Sequence, residues 1–256
     1  MSEFLKTNTT HDGQAVTITL MRPPRNVMNI EMMERVNDVL LGLRSHAELK
    51  VLILRGEGDT FCGGVDVRDH TKDKVQRLIQ VFHRIFETIR LLDVVTVAAV
   101  DGLAAGGGFQ LAIGCNMVVA SASSRFVLPE VRQGVFPPIA AIVLPRAAPR
   151  RKAMEWILMG EEITAKELAV HGLVNRIFPD DSFEKDLDAF VARLVSQSGP
   201  VMQLARRAQT ENYYATYEEA LYRVENLYLR ELMALEDPHE GITAFLEKRP
   251  PKWQNG

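Results

Sequence analysis

Three consecutive glycines, Gly106 to Gly108, stand where a predicted strand gives way to a predicted helix. The strand covers Val94 to Val100, a run of β-branched residues and alanine without a charge, as expected for a buried parallel strand. Glycines that lead into a helix near Phe109 leave backbone N–H groups without acceptors and without side chains to screen them. The helix dipole adds partial positive charge at the same point. The pattern predicts a place that can hold an oxygen atom while it becomes negative.

Phosphate is the other anion that such a site can hold. The segment has neither a G-x-x-x-x-G-K-[ST] loop nor a G-x-G-x-x-G fingerprint, so an oxyanion hole is the better interpretation. A second glycine pair, Gly63 and Gly64, follows another predicted strand, Lys50 to Arg55. Two such strand ends can each supply one N–H to the same carbonyl oxygen. The alternative is that both glycine turns are only tight connections.

A single carboxylate, Glu130, is the candidate for proton transfer. It stands between apolar residues in the run LPEV, where loss of water would raise its pKa towards a value useful at neutral pH. The alternative is a surface glutamate that pairs with Arg132. The spacing alone leaves these two interpretations level.

Four ordered motifs resemble the enoyl-CoA hydratase/isomerase (crotonase) family. They are FCGGVDV at 61–67, DGLAAGGGFQLAIGC at 101–115, LPEVRQGVFPP at 128–138 and AFLEKRPP at 244–251. The resemblance implies an α/β fold with a repeated ββα core, and an acyl-CoA substrate that includes the coenzyme A, with no separate cofactor. It also implies that the backbone N–H groups of Val65 and Gly107 hold the thioester oxygen while Glu130 transfers protons. A homotrimer or homohexamer is implied as well.

Gln110 departs from the family pattern, because hydratases of this family commonly have a second glutamate there. An amide can orient water but cannot take its proton. Either Glu130 works alone, as in some double-bond isomerases of the family, or it activates water while another group covers the second proton transfer. A third possibility is a glutamine that only packs and hydrogen-bonds at the start of its helix.

Short segments are similar to the branch of the family that hydrates cyclic dienoyl-CoA esters such as cyclohexa-1,5-diene-1-carbonyl-CoA. The segments are 134–138, VDVRDH at 65–70 and FHRIF at 82–86. Water that adds across a conjugated diene can deliver its proton to the far end of the diene, which would excuse an amide at position 110. The lead hypothesis is therefore hydration of a conjugated or cyclic enoyl-CoA. The alternatives are a single-glutamate isomerase and a non-catalytic acyl-CoA-binding protein.

The resemblance also implies that Arg68 and Lys248 bind the CoA phosphates, Lys248 from a neighbouring subunit. On the sequence alone each is an ordinary solvated cation. His70 and His83 are expected to be solvated or satisfied side chains. Cys62 and Cys115 lack metal-ligand spacing, so no metal site is expected.

Composition limits the partners. The chain of 256 residues has 46% apolar and 25% charged residues and a formal net charge of −3, typical of a globular protein. It has no basic block of the kind that nucleic-acid binding usually needs. It also has no targeting pattern at the N-terminus and no run of apolar residues long enough to span a bilayer. We therefore expect a cytoplasmic protein with neither a nucleic acid nor a membrane as partner.

The remaining elements follow from hydrophobic periodicity and capping residues. We predict a strand at 16–21 and helices at 30–46, with Asn29 as its N-cap, and at 69–92. Pro145 and Pro149 are expected to break the apolar segment 139–158 into pieces. Thr164 is a candidate cap, Pro200 fits the first turn of a further helix, and 217–246 is helical. The predicted organisation is a crotonase-like α/β core at 1–198 and a helical oligomerisation region at 199–256.

Overall fold

The computed structural model describes residues 4–212 and 215–255. Their strands form two sheets. The larger sheet has the order β1-β2-β3-β5-β7-β10 and the smaller has the order β4-β6-β8-β9. The strands are β1 (Leu5–Thr10), β2 (Ala15–Leu20), β3 (Val51–Gly56), β4 (Thr60–Cys62), β5 (Val95–Val100), β6 (Leu103–Ala105), β7 (Met117–Ser121), β8 (Arg125–Val127), β9 (Ile163–Thr164) and β10 (Arg176–Phe178).

Parallel pairing dominates both sheets. Among the strand pairs that the structure describes, only β1–β2 in the larger sheet and β8–β9 in the smaller sheet are antiparallel. Each of β3, β5 and β7 lies in the larger sheet, and the next strand of the chain lies in the smaller one. The chain then continues into helical structure. This is a repeated ββα arrangement, so the predicted α/β class is confirmed.

Helices follow most of these strands and cover the sheets. They are α1 (Ile30–Leu43), α2 (Val75–Leu91), α3 (Gly107–Ile113), α4 (Pro138–Ala147), α5 (Arg150–Met159), α6 (Ala165–Val170), α7 (Phe183–Val195), α8 (Gly199–Thr210), α9 (Tyr217–Asn226) and α10 (Glu236–Glu247). Short 3₁₀ turns lie at Val67–Asp69, Glu130–Gln133, Asp180–Ser182 and Leu232–Ala234, and a π turn at Leu227–Glu231. Among the described helices, none is long and apolar enough to cross a membrane.

Capping side chains set several helix starts as predicted. The Asn29 side chain accepts a 3.0 Å hydrogen bond from the backbone N–H of Met32 at the start of α1. Thr164 accepts from the N–H of Glu167 at the start of α6. Pro200 lies in the first turn of α8, where its missing N–H costs no helical hydrogen bond. These local signals fix where the helices begin.

Three expected boundaries were wrong. The helix predicted from Asp69 begins at Val75, because the side chain of Asp66 caps a separate 3₁₀ turn before it. The helix expected near Phe109 begins at Gly107. Pro145 does not break α4, because it lies in the last turn, where only one backbone hydrogen bond is lost. The break falls at 148–149, where Pro149, the second expected breaker, precedes α5.

Helix α3 lies at the centre of the main hydrophobic core, and all seven of its residues are buried. The core residues around it come from both sheets and from α1, α2 and α4. A second, smaller core lies between the larger sheet and α7, with Val51, Val97 and Val119 against Phe183 and Leu187. The first core therefore fixes the glycine-rich start of α3 in place.

Candidate active site

A cavity of about 870 Å³ opens between α2 and the loops that follow β2, β4 and β8. Five of the six site residues predicted from the sequence line it. They are Val65, Arg68, Gly107, Gln110 and Glu130. The structure therefore brings together residues from three separate segments of the chain, the loop after β4, helix α3 and the turn after β8.

Two backbone N–H groups face this cavity without an acceptor. Among the hydrogen bonds of the described residues, neither the N–H of Val65 nor that of Gly107 donates to any group. The neighbouring residues are held firmly: Met28 donates to Gly64 O at 2.8 Å, and Gly106 donates to Val127 O at 2.8 Å. Two fixed, free donors are what an oxyanion hole needs.

The loops that carry these donors approach more closely than side chains allow. A methyl group at Gly107 would lie 2.6 Å from Cγ2 of Val65 and 3.3 Å from its backbone nitrogen. A methyl group at Gly108 would lie 2.2 Å from the carbonyl oxygen of Cys62. Gly64, with φ of +107°, packs against the carbonyl oxygen of Ala105. The glycines therefore bring the two N–H groups to one side of the cavity.

Glu130 begins the 3₁₀ turn after β8 and is only 9% exposed. Burial raises the pKa of its carboxyl group from 4.5 to about 7, against a smaller opposing effect of its hydrogen bonds. Its Oε2 is buried and has no hydrogen-bond partner among the described residues. The alternative of a surface pair with Arg132 is wrong, because Arg132 donates to the carbonyl oxygen of Met159 instead. Glu130 therefore has one oxygen free for a substrate or water.

Gln110 connects Glu130 to the first turn of α4. Its Oε1 accepts hydrogen bonds from the backbone N–H groups of Ile139 at 2.9 Å and Ala140 at 3.3 Å. Its Nε2 donates to Oε1 of Glu130 at 2.9 Å. The two backbone donors fix which end of the amide faces the carboxylate. A glutamate in this conformation would place one carboxylate oxygen against another.

The mouth of the cavity carries a charged cluster around Asp66. Arg68 contacts both carboxylate oxygens of Asp66, at 2.9 and 2.7 Å, and Arg22 lies 3.1 Å from Oδ2. These partners, Arg68 first, hold the pKa of Asp66 well below its usual range. The side chain of Arg68 is nevertheless 76% exposed, so its outer face is open to a ligand at the mouth.

Lys248 is the sixth predicted site residue, and the structure does not bring it to this cavity. It is the C-cap of α10 in the left-handed conformation, with φ of +56°. It is not among the residues that line the cavity. Within one chain, Lys248 therefore does not belong to the site.

His83 lines the cavity, although sequence analysis set it aside. It follows Phe82 on the apolar face of α2, and its Nε2 is buried without a partner among the described residues. The sequence signal that could have identified His83 is its position beside the apolar stripe of α2. His70 also lines the cavity, where its Nδ1 lies 3.3 Å from the carbonyl oxygen of Asp66.

Comparison with known proteins identifies the family of this chain. The family model for enoyl-CoA hydratase/isomerase matches residues 11–256. The human enoyl-CoA hydratase domain-containing protein 3, mitochondrial, is 32% identical over 93% of this chain and 80% of its own length. Its crystal structure has a TM-score of 0.91 and covers 97% of this chain and 99% of that one, with 30% identity.

A second relative is named for a specific reaction. The cyclohexa-1,5-dienecarbonyl-CoA hydratase of Thauera aromatica is 30% identical over 99% of this chain and 98% of its own length. The expected family is therefore confirmed along nearly the whole sequence. This chain belongs to the enoyl-CoA hydratase/isomerase family.

Proposed function

We propose that this protein adds water to a conjugated enoyl-CoA thioester, and that its acyl group is a cyclic diene such as cyclohexa-1,5-diene-1-carbonyl. The observation that carries the proposal is the free Oε2 of Glu130 in the same cavity as the free N–H groups of Val65 and Gly107. The similarity to the Thauera aromatica hydratase supports the choice of acyl group.

In the proposed reaction the thioester oxygen accepts hydrogen bonds from Val65 and Gly107. Glu130 takes a proton from water, and the hydroxide oxygen bonds to the β-carbon. The electron pair of the double bond moves towards the thioester oxygen, which becomes an enolate. Each fixed donor stabilises such a transition state by about 3 to 4 kcal/mol in enzymes where it has been removed. With a pKa of about 7, Glu130 has both protonation states available near neutral pH.

Gln110 then positions Glu130 and takes no proton itself. Its amide is held by α4 on one side and by Glu130 on the other. A hydratase with one carboxylate needs a substrate in which the second proton transfer takes place at a carbon other than the α-carbon. A cross-conjugated diene meets this need, because its dienolate can be protonated at the carbon farthest from the β-position.

A double-bond isomerase is the second candidate, and the single carboxylate favours it. In that reaction Glu130 removes the α-proton of a 3-enoyl-CoA and returns it at the γ-carbon, with no change in mass. A non-catalytic acyl-CoA-binding protein is the third. Deuterium from heavy water would enter substrate carbon with either enzyme and not with the binding protein.

The test is incubation with cyclohexa-1,5-diene-1-carbonyl-CoA, crotonyl-CoA and a 3-enoyl-CoA in separate reactions, followed by chromatography and mass spectrometry. We expect the cyclic diene to gain one water and the linear esters to change little. Isomerisation of the 3-enoyl ester without a mass change would replace the hydratase by the isomerase. No change in any substrate, and no deuterium uptake, would favour the binding protein.

The CoA end and the assembly belong to the same proposal. Arg68 at the cavity mouth would bind CoA phosphates, and Lys248 would reach them from a neighbouring subunit. The exposed apolar side chains of the C-terminal region support a homotrimer or homohexamer formed through residues 199–256. They include Tyr222, Leu229, Phe245 and Leu246. Light scattering of the wild type and of Phe245→Glu would test the assembly.

A cytoplasmic location stays a prediction, since the human relative is named as mitochondrial.

A further inference from the structure

His83 lines the same cavity as Val65 and Gly107, the two residues of the proposed oxyanion hole. A methyl group at Gly107 would lie 3.4 Å from Cζ of Phe82, so the Phe82 ring borders the two free N–H groups. The ring of His83 lies next on α2, with its centroid 6.2 Å from that of Phe82. Gly107, Phe82 and His83 therefore line the same cavity, with Phe82 in contact with both its neighbours.

The Nε2 atom of His83 is buried without a hydrogen-bond partner among the described residues. A buried polar atom without a partner is costly, so its retention calls for an explanation. Burial lowers the pKa of this imidazole, against a smaller opposing effect of Glu87. The imidazolium form is consequently a stronger acid than that of a solvated histidine.

The other ionisable groups of the cavity are already committed. Arg22 and Arg68 are permanent cations paired with Asp66, and these pairs keep Asp66 ionised. His70 follows the 3₁₀ turn of Val67–Asp69, and its Nδ1 lies against the backbone oxygen of Asp66. Among the residues that line the cavity, His83 is the group besides Glu130 that can exchange a proton from a buried atom.

His83 also borders a groove between α1 and α2, which shares Ile79 and His83 with the cavity. Asn37 lines this groove, and its Nδ2 donates to the carbonyl oxygens of Met33 and Val81 at 3.0 Å each. These bonds leave Oδ1 of Asn37 buried without a partner within the described chain. The groove is also lined by the acidic side chains of Glu34, Asp38 and Glu87 and by the basic side chains of Arg77 and Arg84, of which Arg77 pairs with Glu34. Water in this groove would give His83 a second route for proton exchange.

We propose that His83 is the second proton-transfer residue of this site, and that Nε2 protonates the dienolate at the carbon farthest from the β-position. The inference rests on the proposed function. Water gives its hydroxide to the β-carbon and its proton to Glu130. The imidazolium gives its Nε2 proton to the far carbon, the thioester carbonyl re-forms, and one double bond remains in conjugation with it. Glu130 then loses its proton to solvent and His83 regains one, so the net change is one water added.

The test compares wild type with His83→Gln, His83→Ala and the control His46→Gln on cyclohexa-1,5-diene-1-carbonyl-CoA. His46 lies outside the cavity, so its variant should react at the wild-type rate. We expect His83→Gln, which keeps polarity and size, to lower kcat by about 10²- to 10⁴-fold with KM changed by less than about threefold. Added imidazole should restore part of the kcat of His83→Ala and none of that of His83→Gln.

Two results would overturn this assignment while the proposed function stands. One is a His83→Gln variant that hydrates the diene at the wild-type rate. The other is a loss of activity in His83→Ala that imidazole does not restore, which would mean that His83 only packs. A wild-type protein that does not hydrate the diene would instead overturn the proposed function, and the role of His83 with it. Thermal unfolding of each variant separates loss of folding from loss of chemistry.

Discussion

The amide nitrogen of Gln110 donates a 2.9 Å hydrogen bond to one carboxyl oxygen of Glu130. The donors run in one direction, from the first turn of α4 to Gln110 and from Gln110 to Glu130. Glu130 is the last acceptor of this chain of bonds, and its second oxygen has no partner among the described residues. The glutamine thus orients the carboxylate and leaves one of its oxygens free.

Glu130→Gln should lower kcat by about 10²- to 10⁴-fold, because an amide cannot transfer the proton. The replacement keeps an oxygen that accepts from Gln110, so the fold of the turn should persist. Steady-state kinetics on the substrate that the wild type turns over gives the measurement. Glu155→Gln, which removes an exposed carboxylate paired with Lys152, is the control and should leave kcat unchanged. Equal turnover in both variants would remove Glu130 from the mechanism.

The same variant should change how stability depends on pH. The pKa of Glu130 is about 7 in the folded protein, above its ordinary value of 4.5, so the folded state binds more protons between these values. Stability of the wild type therefore falls as pH rises through this window, by at most about 3 kcal/mol, and Glu130→Gln avoids the loss. Urea unfolding at pH 5 and pH 8 should show a larger stabilisation by the variant at pH 8. An equal difference at both pH values would contradict the raised pKa.

Gln110→Glu should create two carboxylates that share one proton. Like charges in contact disfavour ionisation, so one apparent pKa of the pair should rise above that of Glu130 alone. The measurement is the pH profile of kcat/KM, and crotonyl-CoA should become a better substrate relative to the cyclic diene. Gln133→Glu adds the same charge at an exposed position of the cavity and serves as the control. A profile that moves equally in both variants would mean that contact with Glu130 is not the cause.

Gly107→Ala should fill the space between the two free N–H groups. The new methyl group would lie 2.6 Å from Cγ2 of Val65, which must move towards the oxyanion position. We expect kcat to fall by about 10²- to 10³-fold, the size of effect seen when one such donor is lost. Gly42→Ala on the exposed side of α1 is the matched control. Its methyl group meets nothing within 4 Å, so activity should stay and stability should rise by up to about 1 kcal/mol.

Arg68→Gln should raise KM for an acyl-CoA ester about 3- to 10-fold with little change in kcat, if Arg68 binds a CoA phosphate. The increase should be smaller at high salt, because the Arg68 side chain is mostly exposed. Repeating the comparison with the 3′-dephospho-CoA ester identifies the phosphate. The same KM ratio with both esters would rule out the 3′-phosphate as the partner.

Local signals in the sequence predicted the longer strands and several helix starts. The uncharged run of β5 and the cap at Asn29 are visible without knowledge of the fold. The strands of the smaller sheet are harder to predict, because β4, β6 and β8 have three residues each, too few for a periodic pattern. Their pairing partners lie far along the chain, so only the folded protein defines them.

The candidate site also contains residues that local motifs predicted and residues that they did not. The cavity-lining positions of Val65, Gly107 and Glu130 follow from motifs whose glycines and apolar neighbours are local. The role of Gln110 depends on α4, whose first turn is 29 residues away. His83 was missed because helical periodicity does not say which residue at the edge of an apolar stripe turns towards a cavity. These contacts depend on packing between distant segments.

The approach of Gly108 to the carbonyl oxygen of Cys62 shows which positions of this site tolerate a different side chain and which do not. No side chain larger than hydrogen fits at Gly108 without moving a backbone oxygen, so this position requires glycine. The free N–H groups of Val65 and Gly107 are backbone atoms, so a change of side chain at position 65 does not remove the donor there. A change of side chain at position 83 or 110 would therefore alter the chemical groups of the cavity while the backbone that carries these two N–H groups stays in place.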